Sequence, residues 1–167
     1  MSSYECPWKF KGEVFESEYI PTVKGAELIF VYLITDTING KKYIGQKMFH
    51  GKKIVSVNKV KKKVKCESDW KKYFSSSETI KQQVVDIGSD HLIREIIYIC
   101  CSKGQANYLE TKLQFELNCL ENQDIWYNGI VNLRCKWNHL KLDKLVDVDS
   151  VLLKSLYDTY RPSLTVQ

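Results

Sequence analysis

Residues 28–46 read LIFVYLITDTINGKKYIGQ, and this stretch decides the fold that we predict. Its first half is an apolar run rich in aromatic and β-branched side chains, which is typical of a buried strand. Asn39-Gly40 favours a type I′ turn, because both residue types tolerate a positive φ. A second strand is predicted to return directly after the turn. Since side chains alternate between the two faces of a strand, we expect Tyr32 and Tyr43 to lie on one face of this hairpin.

The remaining hydrophobic patterns predict a small α/β (α+β) domain. A third strand is predicted over residues 92–101, and helices over residues 79–85, 105–120 and 150–160. In the helix over 105–120, apolar residues recur at steps of three and four and give one apolar stripe. We therefore expect a three-stranded, mostly antiparallel sheet flanked by helices.

The length of 167 residues suits one domain with extensions. We place an N-terminal extension at 1–27, the domain at 28–131 with a basic insertion at 50–66, and a C-terminal helical extension at 132–167. Hydrophobic residues make up 44% of the chain, which is enough for a packed core and excludes global disorder. No apolar run approaches the ~20 residues that span a bilayer, and the first residues do not resemble a signal peptide. We therefore expect a cytoplasmic protein with no membrane partner.

The net charge of +5 is concentrated in one segment. Residues 52–65 contain seven lysines and no acid, so the rest of the chain carries a net charge of −2. These lysines are Lys52, Lys53, Lys59, Lys61, Lys62, Lys63 and Lys65. Valines that intervene between them predict a β-ribbon projecting from the core. Such a cluster binds nucleic acid by releasing condensed counterions from the phosphates. The alternative is a solvated hairpin whose lysines serve solubility alone.

Four short motifs occur in a characteristic order along the chain. They are Phe30-Val31-Tyr32, Tyr43-Ile44-Gly45, Tyr108-Leu109-Glu110 and Tyr127-Asn128-Gly129. In this order the chain resembles the GIY-YIG nuclease superfamily over roughly residues 28–130, and it is most similar to small bacteriophage-type members. The resemblance implies a divalent-metal-dependent DNA endonuclease, phage-encoded and acting in a bacterial host cell. It leaves homing, DNA degradation and defence open as biological roles.

The resemblance also implies roles for particular residues. Glu110 would bind Mg²⁺ or Mn²⁺, Tyr32 and Tyr43 would position and activate water, and Asn128 would buttress the site. Gly45 would allow close approach of the DNA. Without the family, Glu110 would be an ordinary helix glutamate and the two tyrosines would be packing residues.

One position departs from the family pattern. About eight residues after the glycine of the second motif the family has an arginine, and here that position is Lys53. Lysine supplies the charge but lacks the planar bidentate fork of arginine. Lys47 and His50 are nearby substitutes for phosphate contact or proton transfer, although His50 is also explained as a surface histidine. The departure supports a second hypothesis, in which the chain is a catalytically inactive nucleic-acid-binding or inhibitory protein with this fold.

Two further expectations concern cysteines and assembly. The six cysteines show no C-x-x-C spacing and are expected to be free thiols. Cys135 and His139 have a spacing that zinc ligands use, so a zinc-stabilised interaction module is a third hypothesis. Because one active site cuts one strand, a double-strand break would need a homodimer or two visits.

Overall fold

The computed structural model of the protein describes residues 6–133 and 135–161. Residues 1–5, 134 and 162–167, which belong to the predicted extensions, lie outside these ranges. The strands of the described part are β1 Trp8–Phe10, β2 Glu13–Val14, β3 Ile29–Asp36, β4 Lys42–Met48, β5 His50–Val57, β6 Val60–Glu67, β7 Leu92–Cys100 and β8 Asp147–Val148. The α-helices are α1 Glu78–Ile87, α2 Lys103–Glu116 and α3 Ser150–Tyr160, and short 3-10 helices cover Ser17–Tyr19, Trp70–Lys72, Trp137–His139 and Leu142–Lys144.

The main sheet contains the predicted antiparallel core β7-β3-β4 but is larger than predicted. Its order is β2-β1-β7-β3-β4, and β8 also pairs with β7, so it has six strands rather than three. β1 pairs with β7 in parallel and forms an antiparallel pair with β2. The added strands are only two or three residues long, too short to show an alternating pattern in sequence. The mixed α/β class is confirmed, whereas the three-stranded sheet is wrong.

Both faces of the central strand β3 are buried, and each face packs against different elements. On one face Phe30, Tyr32 and Ile34 join the aromatic residues of the N-terminal segment and Ile80 of α1. The opposite face packs against apolar residues of α2 and against Leu156 of α3. This double burial explains the continuous apolar run of the sequence.

The turn between β3 and β4 differs from the predicted type I′ turn. Gly40 has a φ of 74°, but Asn39 is not among the described residues with positive φ. The carboxylate of Asp36 accepts a hydrogen bond from the backbone N–H of Ile38 at 2.9 Å, and the carbonyl of Asp36 accepts one from Gly40 at 2.8 Å. The Asp36 side chain therefore folds a longer loop that needs only one glycine-like residue.

The predicted lysine-rich β-ribbon is present as β5 and β6, which form a separate two-stranded sheet. Asn58 and Lys59 connect its strands with φ values of 50° and 62°, the positive φ pair that a two-residue hairpin turn requires. Helix α2 ends at Glu116 rather than at residue 120, because the chain reverses at Asn118 with a φ of 52°. None of the helices in the described ranges is both long and apolar enough to cross a membrane.

Candidate active site

A cleft of about 590 Å³ opens beside β4, the edge strand of the main sheet. Its walls come from β4, the start of α1, the side of α2 that carries Asn107, Glu110 and Gln114, and the segment 127–132. Three of the residues implied by the family resemblance, Tyr43, Glu110 and Asn128, line this one cleft. They come from parts of the chain that are far apart in sequence, and the sheet edge is where they meet.

Glu110 projects from α2 and is held by two side-chain amides. Its Oε2 accepts a hydrogen bond from Gln46 Nε2 at 2.6 Å, and its Oε1 accepts one from Gln114 Nε2 at 3.3 Å. Burial raises the pKa of Glu110 to about 7, because desolvation outweighs the two hydrogen bonds that lower it. The carboxyl group is thus fixed in place and about half ionised near pH 7.

Gln46 and Asn107 complete this polar cluster, and sequence reasoning missed both. Gln46 Nε2 also donates to Asn107 Oδ1 at 2.5 Å, so one amide group links β4 to two positions of α2. Asn107 precedes Glu110 by three residues, which places the two side chains on one side of the helix. A signal for Gln46 was available, since it lies between Ile44 and Met48 on the helix-facing side of β4 and is polar where both of them are apolar.

The two motif tyrosines lie side by side, but only one of them lines the cleft. Their ring centroids are 6.2 Å apart, as expected for side chains on one face of neighbouring strands. The Tyr43 hydroxyl forms a hydrogen bond of 2.8 Å with Ser76 Oγ at the cleft wall. Tyr32 is only 1% exposed, and its ring packs edge-on against the ring of Tyr73 with a centroid distance of 6.3 Å. Burial raises the pKa of both phenols, so both are neutral at pH 7.

Gly45 lies opposite Tyr32 in the β3–β4 register and is itself buried. A Cβ atom at Gly45 would lie 2.6 Å from Tyr32 Cζ and 2.8 Å from Tyr43 Cε1. The absent side chain therefore makes room for the two phenol rings. Close approach of DNA to this glycine remains a prediction.

Asn128 is 2% exposed and anchors the chain to the free edge of β4. Its Oδ1 accepts from the backbone N–H of Ile44 at 2.9 Å, and its Nδ2 donates to the Ile44 carbonyl at 2.7 Å. Backbone hydrogen bonds also join Lys42 to Ile125 and Tyr127 on either side. An edge strand with unpaired backbone groups is thereby closed by a side chain.

Tyr127 fixes the same segment to the β3–β4 turn, a contact that the sequence did not reveal. Its hydroxyl donates to Asp36 Oδ2 at 2.7 Å and accepts from Asn39 Nδ2 at 2.6 Å. Gln83 of α1 donates to both Asp36 and Tyr127, at 3.1 and 3.2 Å. The turn, α1 and the cleft wall are thus joined by one hydrogen-bond network.

The three basic candidates for phosphate contact lie outside the lining of this cleft. Lys53 is exposed on β5 opposite Val64, and His50 lines a separate depression together with Lys65. Burial lowers the pKa of His50. Lys47 lies on the tyrosine face of β4, where its Nζ is 2.6 Å from Asp69 Oδ1 and 3.8 Å from the Tyr73 ring centroid. Their roles stay predictions, as do those of the lysines in the ribbon.

The donor chemistry around Glu110 fits a hard divalent cation. The Glu110 carboxylate is a hard oxygen ligand. Gln46 and Gln114 turn their Nε2 donors toward it, and Asn107 Oδ1 is an amide oxygen in the same hydrogen-bond network. Mg²⁺ is commonly held by one or two carboxylates together with substrate phosphates rather than by a complete protein cage. Within residues 6–133 and 135–161, no group of three or more His, Cys, Asp or Glu side chains could hold a metal ion, and this applies to the surroundings of Cys135 and His139 as well.

Comparison with known proteins gives one family. The family model described as "Putative endonuclease segE, GIY-YIG domain" matches residues 8–131. Those residues contain the main-sheet strands β1 to β4 and β7, the ribbon, α1, α2 and every residue that lines the cleft except Asn132. No curated protein and no solved structure matches the chain significantly.

Proposed function

The chain belongs to the GIY-YIG domain family of segE-type endonucleases, and we propose on this premise that it is a divalent-metal-dependent DNA endonuclease. The observation that carries the proposal is the convergence of Tyr43, Glu110 and Asn128 on one cleft at the β4 edge. We further propose that it is phage-encoded and acts in the cytoplasm of a bacterial host, in homing, DNA degradation or defence.

Glu110 is the proposed ligand for Mg²⁺ or Mn²⁺. A bound divalent cation would stabilise negative charge on the scissile phosphate and on the leaving oxygen. Gln46 and Gln114 hold the carboxylate in one orientation before the cation arrives. Such preorganisation spares the site a rearrangement during the reaction.

Tyr43 is the proposed residue for positioning the attacking water. Its hydroxyl lies at the cleft wall beside Ser76, within reach of a molecule in the cleft. Because burial raises the pKa of Tyr43, the phenol orients water through hydrogen bonds and does not serve as a ready base at pH 7. Tyr32 supports this role indirectly by packing beneath Tyr43 and against Gly45. Asn128 holds the β4 backbone at Ile44, the residue between Tyr43 and Gly45.

Lys47 is the proposed contact to the scissile phosphate, in the role that arginine has in the family. It follows Tyr43 and Gly45 on the same face of β4, and its ammonium group lies over Tyr73, which contacts Tyr32. The salt bridge with Asp69 would be exchanged for the phosphate when DNA binds. His50, at the start of the ribbon, would then contact DNA beside the cleavage site, whereas Lys53 projects from the opposite face of β5 and takes no part in this contact.

Relaxation of supercoiled plasmid DNA tests the proposal. We expect the wild type to nick the plasmid with Mg²⁺ and to stop in chelator, and Glu110→Ala to be inactive. Glu121→Ala, which removes an exposed carboxylate outside the cleft, is the matched control and should nick like the wild type. A Glu110→Ala protein that still nicks would place the metal site elsewhere.

The same assay separates the nuclease from the alternative of an inactive DNA-binding protein. If the wild type shifts DNA in a gel but never nicks it with Mg²⁺ or Mn²⁺, the fold serves binding alone. Linear product formed without a nicked intermediate would support a homodimer that cuts both strands.

A further inference from the structure

The β-ribbon formed by β5 and β6 has two chemically different faces. In an antiparallel pair, residues directly opposite each other project from the same face. The lysine-rich face carries the pairs Lys52–Lys65, Ile54–Lys63 and Ser56–Lys61. The valine face carries the pairs Lys53–Val64, Val55–Lys62 and Val57–Val60. Four lysines thus lie on the first face, and two lysines lie among four valines on the second.

The arrangement of lysines on the lysine-rich face destabilises the ribbon itself. Lys52 and Lys65 are direct cross-strand neighbours, and like charges in that position are destabilising. Lys52 forms a salt bridge with Glu27 at the base of the ribbon. Lys61, Lys63 and Lys65 are exposed and form no salt bridge with any residue in the described part of the chain. These three cations are available to an anionic partner.

The spacing of the lysines on β6 matches the charge spacing of duplex DNA. Alternate residues of an antiparallel strand are about 6.8 Å apart, which separates Lys61, Lys63 and Lys65 by equal steps. Each DNA strand carries one phosphate per roughly 3.4 Å of helix axis, so each step corresponds to two phosphates. The major groove, about 12 Å wide, admits a two-stranded β-ribbon.

The base of the ribbon is fixed to the core directly after β4, the strand that borders the cleft. Phe49, between β4 and β5, is fully buried, and its backbone pairs with Leu28 at 3.2 Å and with Ser68 at 3.0 Å. β4 itself supplies Tyr43 and Gln46 to the cleft. DNA held along the ribbon is therefore presented to the cleft from one defined side.

We propose that the lysine-rich face of the ribbon contacts the phosphate backbone of duplex DNA beside the cleavage site, and that the valine face points away from the DNA. This proposal rests on the proposed endonuclease function for what happens in the cleft. It adds which lysines bind and which do not, although all belong to one charged segment.

The test compares two double variants that remove the same charge from opposite faces. Lys61→Ala/Lys63→Ala alters the lysine-rich face and Lys53→Ala/Lys62→Ala the valine face, both in a Glu110→Ala background with chelator. Binding to a 20-base-pair duplex is followed by fluorescence anisotropy between 50 and 300 mM salt. For two lost phosphate contacts we expect the slope of log K against log salt to fall by about 1.8, and affinity at 0.1 M salt to fall roughly 10- to 60-fold. The valine-face variant should stay within about twofold, with its salt slope unchanged.

Each other outcome has a definite meaning. If both double variants weaken DNA binding equally, the proposal is overturned, because lysines on either face would then contribute equally to binding. A face difference seen with single-stranded DNA or RNA but not with the duplex also overturns it. If the face difference holds while the wild type never nicks plasmid, the ribbon assignment stands and the endonuclease function fails. If the wild type nicks plasmid but the two double variants bind the duplex alike, the endonuclease function stands and the ribbon assignment fails.

Discussion

The phenol ring of Tyr32 lies over Gly45 on the neighbouring strand, in the space that a side chain at position 45 would take. A Cβ atom there would be 2.6 Å from Tyr32 Cζ. Because Tyr32 also packs against Tyr43, the two motif tyrosines and the glycine form one packed unit. The spacing of the motifs in sequence reflects this packing, since Tyr32 and Gly45 are direct partners in the strand register.

Gly45→Ala should therefore destabilise the protein by about 1–3 kcal/mol, the usual cost of overpacking a core. The expected result is a lower midpoint of urea denaturation with an unchanged slope. Gly51→Ala is the control, because its Cβ would meet no atom within 4 Å and its φ is not positive. Equal stability of the two variants would mean that Tyr32 can shift at no cost.

Asn128→Ala should lower both stability and cleavage. It leaves the backbone N–H of Ile44 without its buried partner and removes one of two donors to the Ile44 carbonyl, the other being Gln114. Two such losses cost roughly 2–4 kcal/mol. Asn132→Ala, an exposed asparagine of the same cleft, should change stability by less than about 0.5 kcal/mol. Thermal denaturation of the two variants decides the matter, and similar melting temperatures would contradict a buttressing role.

Glu110→Gln should stabilise the metal-free protein at high pH and not at low pH. The folded-state pKa of Glu110 is about 7 against an ordinary value of 4.5, so the native state binds this proton more tightly than the unfolded state. Stability from this group is full below about pH 4.5, falls as the pH rises through 7 and is level above. The glutamine side chain does not ionise, so the variant keeps this stability as the pH rises. The corresponding loss in the wild type is on the order of 3 kcal/mol.

The measurement is the free energy of unfolding of wild type and variant in chelator at pH 5, 6, 7 and 8. We expect the advantage of Glu110→Gln to grow across this range. A constant difference between the two proteins would show that Glu110 titrates at an ordinary pKa and is solvated.

Gln46→Met should raise the pKa of Glu110 further, because the hydrogen bond from Gln46 is the strongest influence that lowers it. Cation binding needs the ionised carboxylate, so Mn²⁺ affinity should fall about tenfold per pH unit below that pKa. The pH midpoint of Mn²⁺ binding, followed by electron paramagnetic resonance, should therefore move upward in Gln46→Met. Gln114→Met, which removes the longer hydrogen bond of 3.3 Å, should move it less. An unmoved midpoint in Gln46→Met would show that Gln46 does not act on Glu110.

Long hydrophobic patterns predicted the elements that form the centre of the fold. β3, β4, β7 and the helix Ser150–Tyr160 occur where their patterns place them, because each buries a continuous or regularly spaced apolar surface. The pairing of β1 and β8 with β7 was missed, since it depends on distant partners and not on a local pattern. The turn at Asn39-Gly40 was assigned the wrong type because the Asp36 carboxylate competes for the loop.

The cleft was predictable only in part for a similar reason. Glu110 and Asn128 were found through motifs, but their chemical surroundings depend on contacts between distant segments. Gln46, Asn107 and Ser76 have ordinary identities in ordinary positions, and only the sheet edge brings them to the motif residues. The exclusion of Tyr32 from the cleft could not be predicted either. Alternation along the strand determines which face of the sheet carries this side chain but not how deeply it is buried.

The parallel pairing of β1 with β7 sets an order of events during synthesis. The Cys6 thiol donates to the Leu92 carbonyl across a separation of 86 residues, and closing a loop of that length costs roughly 4 kcal/mol of chain entropy. β1 is synthesised before β7 and can pair locally with β2, but it gains its partner in the main sheet only when β7 has followed it. The β3–β4 hairpin, by contrast, pairs with itself as soon as it emerges. We therefore expect folding to proceed from the motif hairpin outward, with β1 joining the main sheet late.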